Sequence, residues 1–452
     1  MVVGDVTTAV DVLVLGAGPA GYVTAIRAAQ LGKHVTLIEP KQTGGNCLNR
    51  ACIPLKALLS ATERYQQTGQ EELAAMGICV PSVSFDWGKM QVWKQSVVER
   101  LADGVRRLIA GNKIDLVKGT GWFLNAEEVR VEGEYGSHRF KFDHCIIATG
   151  ASPRPFDSSI QAMTPEQALQ STTLPEQVSI FGDDYIALEL ATIFARLDVK
   201  TTLLLPGEQL LPGVDPVALR LVQAGLRKLH VQTRTNVAAS DLTEQPLIAS
   251  YGVVPNTAGL HLDACGVEVN DDGSIRVDSM MRSSVANIYA VGDCCSASAR
   301  GRLASVAIKQ GKVAAEVLAG QRVQFAPLVI PRVVHTTPEL AIVGYSASEA
   351  SEAGYTIKVG RFPFAANGRA QTLNADNGVA LLVANAEDEA LLGATLVGPR
   401  SGDLIAQVAL AIEMGATLTD FSEILFVHPA LSETLQESAD SALQQAIHML
   451  AK

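Results

Sequence analysis

"DVLVLGAGPAGYVTAIRAAQLGKHVTLIE", residues 11–39, decides the fold. An aliphatic run enters the glycine turn at 16–21, small and apolar residues recur at helical spacing as far as Leu31, and Gly32 stops the helix before "HVTLIE". Strand, tight turn, helix and strand make a βαβ unit. Gly16 permits the turn, Gly18 lets backbone approach a pyrophosphate, and Gly21 lets the helix pack on the strand. The helix start offers N–H donors and a positive dipole end, and Glu39, about 20 residues on, can accept from a ribose hydroxyl. A purely structural glycine turn is the alternative, but strand before, helix after and an acid at this distance favour a dinucleotide site.

The pattern returns in "EQVSIF" (176–181), "FGDDYIALELATIFARL" (181–197) and "KTTLLLP" (200–206). Between the two units, "FDHCIIATGASPRP" (142–155) reads as a buried strand leaving through glycine and proline, and "VANIYAVGD" (285–293) as another strand with a Gly-Asp turn. From about 326 the texture changes to strands such as "KVGRFPF" and two later helices. The expected fold is α/β: two Rossmann-like dinucleotide-binding units and a C-terminal α+β domain. The expected boundaries are 1–150 for the first unit, 151–260 for the second, 261–325 for a return to the first, and 326–452 for the last.

The chain has 452 residues, enough for several cores, with 48% hydrophobic and 18% charged residues. A formal net charge of −11 without a basic run disfavours nucleic-acid and anionic-membrane partners. The apolar runs are short and glycine-broken, so neither a signal peptide nor a membrane span is expected, and a cytoplasmic protein is the default. Seven scattered cysteines do not make a secreted disulfide framework.

Two of them stand out in "GGNCLNRACIPLKALL" (44–59), where Cys47 and Cys52 flank four residues and Pro54 precedes a helical stretch. Such a pair suits dithiol–disulfide cycling, because a helix start stabilises a thiolate. A metal clip and two idle buried thiols are the alternatives. No second ligand pair lies nearby, so no metal site is expected. Adjacent Cys294 and Cys295 read as small buried residues, and His335 as structural.

These motifs resemble the flavoprotein disulfide oxidoreductases, and among them the dihydrolipoyl dehydrogenase type. The resemblance continues through "NIYAVGDC", "HTTPELAIVG", "FPFAANGRA", "LLGATLVGP" and "HPALSETLQESA", nearly the whole chain. It implies FAD held by Gly16, Gly18, Pro19, Ala20, Gly21, Glu39, Gly45, Thr149, Gly150 and Asp293. It also implies that Cys52 lies against the flavin, that Cys47 exchanges with a dithiol, and that Lys56 stands beside the flavin paired with Glu189. His428, oriented by Glu433, would be the base that deprotonates the dithiol. In the family this histidine reaches the other subunit's site, so a homodimer is implied, with a lipoyl-type or other dithiol, free or protein-bound, as substrate.

The departures concentrate in the second unit. Asp184 stands at the second glycine position, beside Asp183, and Ala187 at the third; Ala is tolerated there, where only helix packing is at stake. Leu205-Pro206 ends the following strand without the acid that binds ribose, Val253 and Val254 replace basic residues, and the segment from 231 to 246 is too short for an extra hairpin. The expectation is an intact dithiol half-reaction with NAD use impaired or replaced by another acceptor. Arg50, Ala51, Leu55, Phe426 and Ala430 are further departures around the dithiol site. A flavin-dependent thiol oxidase and a non-catalytic docking or redox-sensing flavoprotein are the competing readings.

Overall fold

The computed structural model describes residues 7–134, 136–156, 161–243, 245–296 and 302–450. The opening stretch forms strand Thr7–Leu15, helix Pro19–Gln30 and strand Val35–Glu39. Val12, Leu13 and Val14 have no exposure, the mark of a central strand covered on both faces. This strand pairs in parallel with Val35–Glu39 on one side and Gly136–Ile147 on the other, with Val14 opposite Leu37 and Ile146. Asp115–Lys118 extends one edge, and Glu128–Gly133 with Thr120–Asn125 extends the other as an antiparallel meander.

Strand Ile288–Ala290 returns across most of the sequence to pair in parallel with Gly136–Ile147. It delivers helix Ala304–Leu318 onto helix Pro19–Gln30. Their crossing is close: a methyl group at Gly311 would lie 2.7 Å from the Ala20 carbonyl oxygen.

The second βαβ unit forms a separate sheet, ordered Gln232–Arg234, Lys200–Leu204, Gln177–Phe181, Leu247–Ala249 and Ala162–Met163, all parallel. The two crossings between units pair as a short antiparallel ladder, Ala151–Pro153 with Val253–Pro255. Residues from 330 onward build an antiparallel sheet, Arg332–Val334, Glu339–Gly344, Leu391–Gly398, Val379–Asn385 and Ile357–Pro363, covered by helices Ser401–Glu413 and Glu433–Ala442.

One apolar cluster joins Leu55, Leu58 and Leu59 of helix Cys52–Gln67 to Leu188 and Ala191 of helix Tyr185–Arg196 and to Val334 and Leu340. Arg196 staples the same junction, donating to the Leu59 carbonyl at 3.1 Å and to Thr337 Oγ1 at 2.5 Å. The three bodies thus meet where the cysteines lie. Among the described residues no helix is long and apolar enough to cross a membrane.

Candidate active site

A cleft of about 1710 Å³ opens between the first two units. Gly16, Gly18, Pro19, Ala20, Glu39, Gly45, Thr149, Gly150 and Asp293 line it, together with Cys47, Cys52 and Lys56. Gly21 lies behind the lining, where a methyl group would fall 1.8 Å from the Gly16 carbonyl oxygen, so its task is helix-to-strand contact. Gly45, at φ +61°, lets its loop touch the turn: a methyl group there would meet Gly18 Cα at 2.5 Å.

Glu39 spans the strand end and the turn, accepting from Ala17 N–H at 2.8 Å and Lys41 N–H at 2.8 Å. Thr149 is fixed by Asn256, whose side-chain amide donates to its carbonyl at 3.0 Å. Asp293 sits in the Gly292–Cys294 turn, which Gln310 holds by accepting from Gly292 N–H at 2.8 Å. Burial raises the Asp293 carboxyl pKa, with Arg302 opposing. A glycine cradle at a helix start and a carboxylate at the cleft wall fit a dinucleotide with hydroxyl groups, so the implied FAD matches the residues present.

Cys47 belongs to the short helix Gly45–Asn49 and Cys52 is the first residue of helix Cys52–Gln67; the two are disulfide-bonded, Cα atoms 4.7 Å apart. Cys52 therefore receives the positive end of a four-turn helix, which favours its thiolate after reduction. One turn on, Lys56 pairs with Glu189 Oε2 and stands 6.0 Å from the Tyr185 ring centroid. Glu189 is fully buried, and its other oxygen accepts the His335 backbone N–H at 3.0 Å. Arg50 and Leu55 also line the cleft near the disulfide.

Cys294 and Cys295 are buried free thiols that burial keeps protonated, as the sequence suggests. No cluster of metal-ligating side chains exists among the described residues.

The second turn keeps its fold and carries a carboxylate at its helix start. Gly182 adopts φ +147°, and a methyl group there would lie 2.5 Å from the Ser250 carbonyl oxygen; Ala187 is fully buried beneath it. Asp184 is the cap of helix Tyr185–Arg196, with Oδ1 accepting from Ala187 N–H at 2.9 Å and Oδ2 accepting from the Ser250 hydroxyl at 2.7 Å. Burial raises its pKa and these hydrogen bonds oppose the rise. A carboxylate thus occupies the helix start that a phosphate would use.

Leu205, where the ribose acid would stand, is 1% exposed and packed into the core. Phe156 and Tyr251 cluster with Phe181, the last residue of strand Gln177–Phe181, with ring centroids 5.4 to 6.0 Å apart. Doubly wound sheets take ligands beyond strand ends of this kind. Reading the sequence missed this cluster and Ser250 because no local pattern announces either.

His428 and Glu433 do not join the cleft in a single chain. The His428 side chain is 81% exposed on the C-terminal body, and its Nδ1 lies 2.7 Å from Glu433 Oε1. Leu425 and Val427 beside it are 97% and 76% exposed, an apolar surface of the kind a second subunit covers. His335 borders the cleft, with Nδ1 2.6 Å from Glu339 Oε1.

The family model for pyridine nucleotide-disulphide oxidoreductase matches residues 10–311, and that for the family's dimerisation domain matches 330–439. The dihydrolipoyl dehydrogenases of Bacillus subtilis and Geobacillus stearothermophilus are each 39% identical over the full length of both chains. LpdA from Mycobacterium tuberculosis superposes with a TM-score of 0.88, covering 96% of this chain and 99% of its own; at 23% identity it speaks to the fold alone. The HOCl-induced flavoprotein disulfide reductase RclA from Escherichia coli gives a TM-score of 0.84 at 25% identity, covering 95% of this chain and 99% of its own. With a redox-disulfide pair in an FAD-type cleft and full-length relatives of this kind, the chain belongs to the pyridine nucleotide-disulphide oxidoreductase family of enzymes.

Proposed function

We propose that the chain oxidises a dihydrolipoyl-type dithiol through Cys47 and Cys52 as a homodimer, and delivers the electrons to an acceptor other than NAD. The Cys47–Cys52 disulfide at a helix start beside the Lys56–Glu189 pair carries the first part. In the dimer, His428 of one subunit serves the disulfide of the other. Its Nδ1 faces Glu433, which leaves Nε2 to take a proton from the first substrate thiol. The thiolate attacks Cys47 Sγ, and Cys52 leaves as a thiolate held by its helix. The second substrate thiol then closes the product disulfide, and Cys47 departs with a proton returned by His428. FAD, when bound, is the two-electron acceptor for the Cys52 thiolate.

The acceptor half rests on the Asp184 carboxylate at the phosphate position, the core role of Leu205 and the aromatic cluster in the nucleotide crevice. The same features favour a thiol oxidase as the second reading. A non-catalytic flavoprotein would have no use for the disulfide, the Lys56–Glu189 pair and the His428–Glu433 pair together. The test is anaerobic reduction of the holoenzyme with dihydrolipoamide, then separate additions of NAD, NADP and oxygen. The flavin should bleach on the first step and stay bleached with both nicotinamides. Failure to bleach refutes the dithiol assignment; rapid recovery with NAD refutes the acceptor assignment.

A further inference from the structure

The cleft holds a second histidine–carboxylate pair that dithiol oxidation leaves unused. His335 follows strand Arg332–Val334, its ring lines the cleft, and its Nδ1 lies 2.6 Å from Glu339 Oε1. Glu339 Oε2 accepts from Gly402 N–H at 3.0 Å, in the first turn of the 13-residue helix Ser401–Glu413. That hydrogen bond fixes the direction of the carboxylate. With Nδ1 turned to Glu339, Nε2 is the ring atom left for chemistry.

The pair borders the second unit of the cleft. The His335 backbone N–H is bonded to Glu189, which belongs to the helix that follows the second dinucleotide turn. The charged and titratable groups facing this corner are Glu339 on the adjoining strand, Arg332 on its own, Glu189, Tyr185 and Arg196 on the helix, and Lys56 on the redox helix. Lys56 neutralises Glu189, so Glu339 is the carboxylate that acts on the imidazole.

Proton accounting gives this arrangement a use. Oxidising a dithiol releases two electrons and two protons. Reducing NAD consumes both electrons and one proton as hydride, and needs no acid; an imidazolium would instead repel the cationic nicotinamide ring. An acceptor A that becomes AH2 consumes two electrons and two protons. We infer that His335, positioned by Glu339, donates a proton to an acceptor of this second class. The Nε2–H bond breaks as one A–H bond forms, while the electron pair and the other hydrogen reach A together as hydride from the reduced enzyme; the neutral Nδ1–H ring stays bonded to Glu339, and the second proton released by the dithiol restores the imidazolium. This inference rests on the proposed loss of nicotinamide use.

The test uses holoenzyme reduced by two electrons with dithionite and mixed anaerobically in a stopped-flow instrument with duroquinone, ferricyanide or NAD, while flavin absorbance reports reoxidation. Duroquinone takes two protons and ferricyanide takes none. In His335→Asn the ratio of the duroquinone rate to the ferricyanide rate should fall about 10²-fold, the usual scale of general-acid catalysis. In Glu339→Gln the same ratio should fall about tenfold. The wild-type ratio should depend on pH, and that dependence should vanish in His335→Asn. A readout independent of turnover is ¹⁵N NMR of histidine-labelled protein, with the His335 signal identified by its loss in the Asn variant. It should show the Nδ1–H tautomer, shifting in Glu339→Gln.

A ratio unchanged within about twofold in both variants, or an Nε2–H tautomer, overturns the inference. If one variant fails to fold, the other and the NMR tautomer decide. Rapid reoxidation of the wild type by NAD overturns the nicotinamide reading beneath it, whereas inert NAD with an unchanged ratio overturns this inference alone.

Discussion

Replacing Asp184 with glycine should reopen the second dinucleotide turn. In the native chain the carboxylate accepts from Ala187 N–H at 2.9 Å, the position from which a helix start would grip a phosphate. Two like charges about 4 Å apart repel by about 1 kcal/mol in water and about 4 at an effective dielectric of 20, so about 2 kcal/mol suits a half-open site. Freeing the Ala187 donor for a charged acceptor adds about 1.5 kcal/mol. Together these raise NADH affinity by about 10²-fold or somewhat more.

The backbone tolerates the change, since residue 184 sits at φ −87° and ψ 173°. The costs are a few tenths of a kcal/mol for a glycine cap and about 1 kcal/mol for the Ser250 hydroxyl that loses its acceptor. The assay is the dependence of the flavin reduction rate on NADH concentration in anaerobic stopped flow. Recovery stops short of a relative's affinity, because Leu205 still supplies no ribose acceptor. A folded Asp184→Gly protein whose NADH affinity matches the wild type, or a wild type already reduced at micromolar NADH, would falsify the reasoning.

Three further outcomes are expected. Asp184→Asn keeps a capping acceptor but removes a carboxylate whose pKa is raised by burial. Such a group favours folding while protonated, and that contribution is lost as pH rises through its folded pKa. The Asn variant should therefore melt higher than wild type at neutral pH, with the advantage fading as pH falls into the ordinary carboxylate range. Thermal melts across pH check it, and an advantage that grows on acidification is the opposite result.

Mixing Cys47→Ser and His428→Gln subunits, each inactive alone, should restore roughly a quarter of wild-type turnover after exchange. Half the dimers would then be mixed, each with one complete site. No recovery, despite exchange shown by mass spectrometry, places the base within one subunit. Glu189→Gln leaves Lys56 without its partner, and Lys56 is 36% exposed, so the loss should be about 2–3 kcal/mol, at the low end for breaking a buried pair. Urea denaturation measures this, and a change below about 0.5 kcal/mol contradicts it.

Much of the molecule is local in its sequence signals. The turn at 16–21 needs glycine because neighbouring backbone lies within a bond length or two of where a methyl would go, and that demand is visible in one dimension. The Cys47 and Cys52 spacing likewise meets a helix start that Pro54 marks. The 25-residue helix Trp87–Gly111 escaped attention because its few buried positions are diluted by a long polar face.

By itself, the sequence determined the two βαβ units, the redox pair and the degeneracy of the second turn, because each depends on contacts among residues close along the chain. Only the tertiary structure decided which groups surround that turn. Ser250 comes from 66 residues away to hold the Asp184 carboxylate on the helix, Phe156 and Tyr251 converge on the crevice from separate crossings, and Glu189 links Lys56 to His335 across three bodies. These groups meet only when three sheets pack together, because the residues that hold Asp184, Lys56 and His335 in place lie far apart along the chain.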